Sequence, residues 1–219
     1  MPKQETPTEL RALSKFVENN GFTLAIPFDN IRCVGYIGRI DKKGHEHVAD
    51  DGRCFRKLIS VRARRPRKIV LGDFNKQTQF SLKSFLKVFG SIFGIDVGLQ
   101  DAKSIALKFP KKFLQSNYLT EIEVEDFLPK LSEACKRKVN DPNSFLVTQT
   151  LETDAIEYVV ELRKKIDSKA QADLKNAIVA KARDLKIGVN VNWESERQYS
   201  VTVSDPHTRF TVAYKTWSR

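Results

Sequence analysis

One stretch of the sequence, residues 80–109, changes its hydrophobic period part-way along, and this change constrains the fold most. Its first part places apolar side chains three and four residues apart, as on one face of an α-helix: Leu82, Phe85, Leu86, Phe89, Ile92 and Phe93. After Gly94 every second residue is apolar, as in a half-buried strand: Ile95, Val97, Leu99, Ile105, Leu107 and Phe109. Each alternating piece is about half of the ~9–11 residues of a membrane β-strand, and the whole is too polar for a transmembrane helix. Alone, the stretch predicts an amphipathic helix packed on a hairpin.

The composition indicates a globular protein with an anionic partner. The 219 residues contain no Pro/Gly/Ser-rich linker, so we expect a single domain over residues 1–219 with a substantial core. The chain carries 38 Lys and Arg against 27 Asp and Glu, a net charge of +11. Such an excess favours nucleic acid or an acidic membrane surface as the partner, and does not choose between them.

Three widely spaced cysteines, Cys33, Cys54 and Cys135, follow a polar N-terminus without a signal peptide. Their odd number predicts reduced thiols in a cytoplasmic protein. Cys33 and Cys54 could join His45 and His47 as the two sulfurs and two nitrogens of a zinc site. Because their spacing matches none of the usual short ligand pairs, we predict no metal site.

Helices are predicted from the 3.6-residue period at about 8–20, 120–138 and 168–185. The second begins with a capping box from Thr120 and Glu123, whereas Pro129 would kink it or divide it into two shorter helices.

Strands are predicted from alternation and turn residues at 22–26, 32–40, 53–61, 69–71, 144–150, 155–162, 187–193, 199–204 and 210–216. We expect 144–150 to pair with 155–162 across a turn at Thr153-Asp154, and the last two strands to pair across Asp205-Pro206. The predicted class is α+β, with a twisted, largely antiparallel sheet flanked by helices.

A basic run interrupts the chain between two predicted strands and contains five cations: Arg62, Arg64, Arg65, Arg67 and Lys68. Pro66 argues against a helix here, so we expect an exposed loop or strand end. Three interpretations remain open: a solvated turn, contact with anionic lipid head groups, and contact with nucleic-acid phosphates.

No catalytic constellation is found in the sequence. The glycines at 90, 94 and 98 fit neither a dinucleotide-binding fingerprint nor a P-loop, and there is no GxSxG nucleophile motif. The acidic residues are scattered, and nothing pairs two of them for acid–base chemistry. We therefore expect a binding or structural protein with no cofactor, and not an enzyme.

The order of segments resembles the N-terminal, pore-forming domain of the gasdermin family. The resemblance covers most of the chain and rests on four segments: GFTLAIP after the first helix, the hydrophobic 81–98 segment followed by AKSIALKFPKKF and the acidic EVEDFL, the strand FLVTQTLET, and the final VTVSDPHTRFTVAYKTW. It implies a protein that binds acidic membrane phospholipids, oligomerises and inserts β-hairpins to permeabilise membranes, causing cell death or defence. The implied location is the cytoplasm when soluble and the cell membrane when assembled.

The resemblance also assigns candidate residues by position and charge. Those expected to meet lipid head groups are Arg11, Lys15, Arg62, Arg64, Arg65, Arg67 and Lys68. Those expected to insert into the membrane are Phe85, Leu86, Phe89, Ile92, Phe93, Ile95, Val97, Leu99, Ile105, Leu107 and Phe109. A second hairpin would form around 155–187, where 169–185 is predicted to be helical in the soluble form.

Two alternatives and one departure stay open. The chain could be a basic nucleic-acid-binding module in which Phe55 or Tyr36 stacks on bases, although nucleic acid is disfavoured because most aromatic residues occupy core-like positions. It could also be a non-inserting partner of a related pore-former. Gasdermins usually carry a C-terminal inhibitory part, whereas here Arg219 follows the last strand, so we expect either activation by a related protein chain or a truncated protein.

Overall fold

The computed structural model describes residues 11–29, 32–61, 67–70, 78–80, 101–111, 113–184, 188–204 and 209–217. The predicted α+β class is confirmed. The helices are α1 (Arg11–Asn19), α2 (Arg56–Val61), α3 (Glu121–Phe127), α4 (Glu133–Asn140) and α5 (Ser168–Asp184), with 3₁₀ turns at Arg53–Phe55 and Leu128–Lys130. The strands are β1 (Thr23–Asp29), β2 (Tyr36–Ile40), β3 (Glu46–Asp51), β4 (Arg67–Val70), β5 (Thr78–Phe80), β6 (Ala102–Lys108), β7 (Phe113–Tyr118), β8 (Ser144–Thr153), β9 (Ala155–Leu162), β10 (Gly188–Ser195), β11 (Gln198–Ser204) and β12 (Phe210–Trp217).

The described strands form two sheets, and their pairings are antiparallel. Sheet A has the order β1-β12-β8-β2-β3, with β7 beside β8 and β4 beside β7. Sheet B has the order β10-β11-β9-β6-β5. The predicted antiparallel arrangement therefore holds, but its strands are divided between two sheets.

Three strands of sheet B are next to strands of sheet A along the chain. β7 follows β6, β12 follows β11, and β8 directly precedes β9. Asp154, between β8 and β9, accepts a hydrogen bond from Nζ of Lys111, which lies between β6 and β7. Partial burial raises the pKa of Asp154, but the hydrogen bond from Lys111, a backbone hydrogen bond and the charges of Lys111 and Arg209 together outweigh it, so the pKa is lowered overall.

Two predicted strand pairings are wrong: that of 144–150 with 155–162, and that of 199–204 with 210–216. The members of each pair lie in different sheets: β8 pairs with β12 while β9 pairs with β11. Residues 205–208, where a turn was expected, lie outside the described residues. A period of two identifies a strand and its buried side, but it carries no information about the neighbouring strand.

The strand expected at 53–61 is also wrong, because these residues form a 3₁₀ turn and α2. Asp50 Oδ2 accepts a hydrogen bond from the backbone N–H of Cys54 at 2.9 Å, which satisfies one of the unpaired amides at the start of the helical segment. Phe55 is completely buried beneath this turn.

The helix expected at 120–138 divides at Pro129 into α3 and α4, joined by a 3₁₀ turn. The predicted capping box is confirmed: Glu123 Oε2 accepts from Thr120 N at 2.7 Å, and Thr120 Oγ1 accepts from Glu123 N at 3.4 Å. α4 has its own cap, since Ser132 Oγ accepts from the backbone N–H of Cys135 at 3.3 Å.

Cys54 and Cys135 form a disulfide, so the expectation of reduced thiols is wrong for this pair. The bridge fastens the 3₁₀ turn before α2 to α4, across 81 residues of sequence. Cys33 is a free thiol, and burial raises its pKa. Three cysteines are equally consistent with one bridge and one thiol, so their odd number does not establish the redox state. Cys54, considered above as a zinc ligand, is not available to a metal.

Among the described residues, two large hydrophobic clusters form the core. The larger extends from α5 and sheet B to α1 and the adjoining strands of sheet A, and includes Ile105, Tyr158, Ile178, Tyr199 and Val201. The second lies between the β2–β3 hairpin, α2, α3 and α4, and includes Val34, Ile37, Phe55, Leu119, Val124, Leu131, Val139 and Leu146. We call the elements around this second cluster, together with the disulfide that joins them, the disulfide corner.

Candidate membrane-contact surface

The first helix presents one of the predicted lipid-binding residues to solvent. Ser14 and Val17 are buried against the protein, while Lys15 and Glu18 are exposed on other faces. Arg11 is the first residue of α1. The helix is therefore docked through the side that contains Ser14 and Val17, and Lys15 is accessible to an anionic partner.

The basic run is only partly within the described residues. Arg62, Arg64 and Arg65 lie outside them, whereas Arg67 and Lys68 begin β4, which pairs with β7 in sheet A. The expectation of a short strand after the run is confirmed, with the strand beginning at Arg67.

The turn and helix just before the basic run add exposed cations that the sequence analysis did not single out. Arg53 and Arg56 are both exposed, and Arg53 Nε forms an ion pair with Asp51 at 3.0 Å. Ile59, one turn further along α2, is 38% exposed. Since a strand was expected here, only the observed helix shows that Arg56 and Ile59, three residues apart, share a side.

The predicted membrane-inserting residues divide into two groups. Those from Phe85 to Leu99 lie outside the described residues: Phe85, Leu86, Phe89, Ile92, Phe93, Ile95, Val97 and Leu99. Ile105, Leu107 and Phe109 lie in or just after β6 and are buried in the larger cluster, with Leu107 only 4% exposed. Among the described helices, none is both long enough and apolar enough to cross a membrane.

The strands that flank the hydrophobic stretch are neighbours in sheet B. β5 pairs with β6 so that Thr78 lies opposite Leu107 and Phe80 opposite Ile105. β5 ends, β6 begins and β9 ends at the same end of sheet B, where the Arg163 N–H donates to the Asp101 carbonyl at 2.9 Å. We call this the distal end. Both segments predicted to become hairpins leave the sheet there.

Exposed cations from β6, from the end of β9 and from the β10–β11 turn lie at the distal end: Lys103, Arg163, Lys164 and Arg197. Lys103 Nζ lies 2.7 Å from Glu161 Oε1, and this hydrogen bond, with a second from Ser104, holds the pKa of Glu161 below its usual value. The run 163–165 is visible in the sequence, but only the order of the strands shows that Arg197 and Lys103 are near it. These cations are the main candidates that the sequence analysis missed.

Comparisons with known proteins point to one fold. No family model matches the sequence, and no curated protein matches it either. The solved structure of a bacterial gasdermin from Bradyrhizobium tropiciagri superposes with a TM-score of 0.56, covering 97% of this chain and 86% of that chain at 16% sequence identity. The chain has a gasdermin-like fold. At this identity the likeness establishes the architecture alone, and it confirms the fold that the sequence resemblance implied.

Within the gasdermin-like fold, the second predicted hairpin segment is mostly helical. α5 occupies Ser168–Asp184, as the hydrophobic period predicted, and packs on sheet B. β9 and β10, which precede and follow it, are both antiparallel to β11, which lies between them, so they run in the same direction. A hairpin built from β9 and β10 would therefore require α5 to leave the sheet and β10 to change its pairing.

Proposed function

We propose that this chain is a gasdermin-type pore-forming protein that binds acidic phospholipids, oligomerises and inserts β-hairpins to permeabilise membranes, in cell death or defence. The gasdermin-like fold over 97% of the chain supports the family. The net charge of +11 supports an acidic membrane surface as the partner. In this proposal the protein waits in the cytoplasm and acts at the cell membrane, where copies of the same chain assemble.

The observation that carries the proposal is the pairing of β5 with β6 on either side of the hydrophobic stretch. If this register continues past the distal end in the membrane form, Leu86 pairs with Leu99. The two arms of the hairpin, 81–91 and 94–104, then match the roughly 9–11 residues of a strand that spans a bilayer. The turn falls between Ser91 and Gly94, residues favoured at the first and fourth positions of a type I turn.

The same register separates an apolar side of the hairpin from a polar one. The more apolar side continues from Ile105 and contains Leu82, Leu86, Val88, Ile95, Val97 and Leu99, and it also carries Asp101 and the exposed Lys103 where the hairpin joins the sheet. The opposite side contains Lys83, Lys87, Asp96 and Gln100, together with Phe85 and Phe89. A barrel wall between lipid and a water-filled lumen requires such a division. In this proposal Phe85 and Phe89 face away from the lipid, and Ile92 and Phe93 form the turn.

Head-group contact is assigned to the exposed cations near these segments. Arg11 and Lys15 on α1 and the basic run from Arg62 to Lys68 remain the first candidates. Arg53 and Arg56 extend the basic run toward the amino terminus, and the exposed Ile59 would enter the interface beside them. Each basic residue near an anionic surface contributes roughly 1 kcal/mol, so several acting together are needed for stable binding.

Dye release from vesicles with and without acidic phospholipid tests the function and the register together. We expect the chain to release dye from acidic vesicles only. Leu99→Lys should reduce this release strongly, because a lysine on the lipid side of a barrel costs about 2–4 kcal/mol at mid-bilayer. Gln100→Lys is the matched control: it adds the same charge one residue away, on the polar side, and should retain release.

The outcomes separate the possible failures. Equal release by Leu99→Lys and Gln100→Lys would contradict the register while leaving pore formation intact. Vesicle binding without release by the unaltered chain would favour a non-inserting partner of a related pore-former. Binding to DNA in the absence of any binding to acidic vesicles would overturn the proposed function in favour of the nucleic-acid alternative.

A further inference from the structure

The helix α5 is held on sheet B by few side chains. Ile178 and Ala182 are its fully buried residues among those described, and Leu174 is partly buried in the same cluster. The other sides of the helix are largely exposed and carry Lys169, Asp173, Lys175, Lys181 and Arg183. α5 lies over β10, which is at the edge of the sheet. Departure of α5 would therefore break no pairing between strands of sheet B.

Two aromatic side chains with polar atoms lie on the side of sheet B that α5 covers. On β10, Val191 and Trp193 alternate with exposed asparagines, and Val191 is buried in the cluster that includes Ile178. Tyr199 is the partner of Trp193 on β11, and their ring centres are 4.9 Å apart. Because paired residues project to the same side of a sheet, Tyr199 also lies on the side that faces α5.

The polar atoms of these two side chains are buried without a protein partner. Neither the Tyr199 hydroxyl nor Trp193 Nε1 hydrogen bonds to any residue within the described ranges. Tyr199 is 0% exposed, and burial raises its pKa. A buried polar group that lacks a hydrogen bond favours any state in which it meets water. The docked position of α5 thus stabilises the protein less than the apolar burial alone would.

Tyr36 shows what a satisfied tyrosine looks like in the same molecule. It is 2% exposed, and its hydroxyl donates to Glu46 Oε1 at 2.9 Å. The two tyrosines are therefore matched in burial and opposite in hydrogen bonding. The buried tyrosine hydroxyl is thus hydrogen bonded in the β2–β3 hairpin, whereas that of Tyr199 has no such bond within the described residues.

We propose that α5 is a latch that opens before the rest of the protein unfolds, and that the buried Tyr199 hydroxyl and Trp193 indole N–H set how readily it opens. Opening of the latch exposes the apolar side of sheet B and frees the 163–187 segment. The role of the latch in membrane insertion rests on the proposed function, because the freed segment is the one assigned to the second hairpin. The latch itself is a property of the soluble protein.

Hydrogen exchange in solution, without vesicles, tests the latch on Tyr199→Phe and Tyr36→Phe. We expect Tyr199→Phe to slow exchange of the α5 amides about five- to tenfold, because the variant has no hydroxyl to rehydrate on opening. Tyr36→Phe removes a hydroxyl that is hydrogen bonded, so it should not slow exchange of the α5 amides. Unchanged or faster α5 exchange in Tyr199→Phe would overturn the proposal.

The same variants separate the latch from the pore. With acidic vesicles, Tyr199→Phe should release dye several-fold more slowly than the unaltered chain, in step with its slower exchange. If exchange slows while release keeps its full rate, opening of α5 does not limit insertion and the gating role is overturned. If exchange slows and no variant releases dye, the latch stands and the proposed function fails.

Discussion

The disulfide corner and the α5 layer of sheet B are fixed in place by different means. In the corner, the Cys54–Cys135 bridge is reinforced by Asp50, which is 7% exposed and accepts from Cys54 N at 2.9 Å and from Lys138 Nζ at 3.2 Å. α5 is held by the side chains of Ile178, Ala182 and, in part, Leu174. Stability in one small protein is thus distributed unevenly, with a covalently fastened part beside a part held by side-chain packing.

This difference suits a protein in which one part changes shape while another keeps it. The corner encloses its own hydrophobic cluster and is joined to sheet A through β2 and β8. The proposed hairpins leave sheet B at the distal end. The elements that would convert are therefore those without a covalent fastening, and the following changes test how sharp the division is.

Removing the disulfide should have the largest effect. In the chain-entropy account, a bridge across 81 residues stabilises the folded state by about 4.5 kcal/mol. We expect the double variant Cys54→Ala/Cys135→Ala to lose about that much free energy of unfolding in urea, with faster hydrogen exchange in α4. Cys33→Ala is the matched control. Added reductant should lower its free energy of unfolding by as much as it lowers that of the parent. A double variant as stable as the parent would show that the disulfide does not stabilise the corner more than packing stabilises α5.

Ile178→Ala should come next, with its effect concentrated in α5. Loss of a buried isoleucine costs about 2–4 kcal/mol, so exchange of the α5 amides should accelerate more than tenfold. The control is Ile122→Ala in α3, where the isoleucine is 71% exposed, and its free energy of unfolding should change by less than about 0.5 kcal/mol. Equal acceleration in α4 and α5 would show that the two regions open together.

The smallest effect concerns Asp41 at the tip of the β2–β3 hairpin. A hydrogen bond with His47 Nε2 at 3.0 Å, together with backbone donors, lowers the pKa of Asp41 to about 2 from 3.8. Because the folded-state pKa is depressed, the resulting stabilisation is present above pH 3.8 and is lost as the pH falls toward 2. A carboxyl titration followed by NMR should show a higher Asp41 pKa in His47→Ala. His45→Ala should change it less, since His45 Nδ1 lies 3.5 Å away.

The hydrophobic pattern was sufficient for elements whose structure depends on local interactions. α5 was predicted at 168–185 and occupies Ser168–Asp184, and the capping box of Thr120 and Glu123 forms as expected. Both depend on residues within one or two turns of each other. The segment 53–61 was misread because its helical turn is stabilised from outside, by Asp50 and by the burial of Phe55.

Strand partners and the candidate site required the three-dimensional structure. Alternation identified β8 and β9 but not their separation into two sheets, because pairing depends on residues far apart in the sequence. The exposure of Lys15 depends only on the hydrophobic period of its own helix. The proximity of Arg163 to Arg197 depends on the order of strands in sheet B. The disulfide was missed for the same reason, since 81 residues separate its cysteines.

The passage of β8 directly into β9 has a mechanical consequence. A tension applied to β9 from the distal end is transmitted through Asp154 into β8, which is hydrogen bonded to β12 on one side and to β2 and β7 on the other. Because the pull acts along the strand, those hydrogen bonds are loaded in shear, all at once. Sheet A would therefore hold a membrane-embedded extension of β9 as an anchored base, and the load would not peel its strands apart one bond at a time.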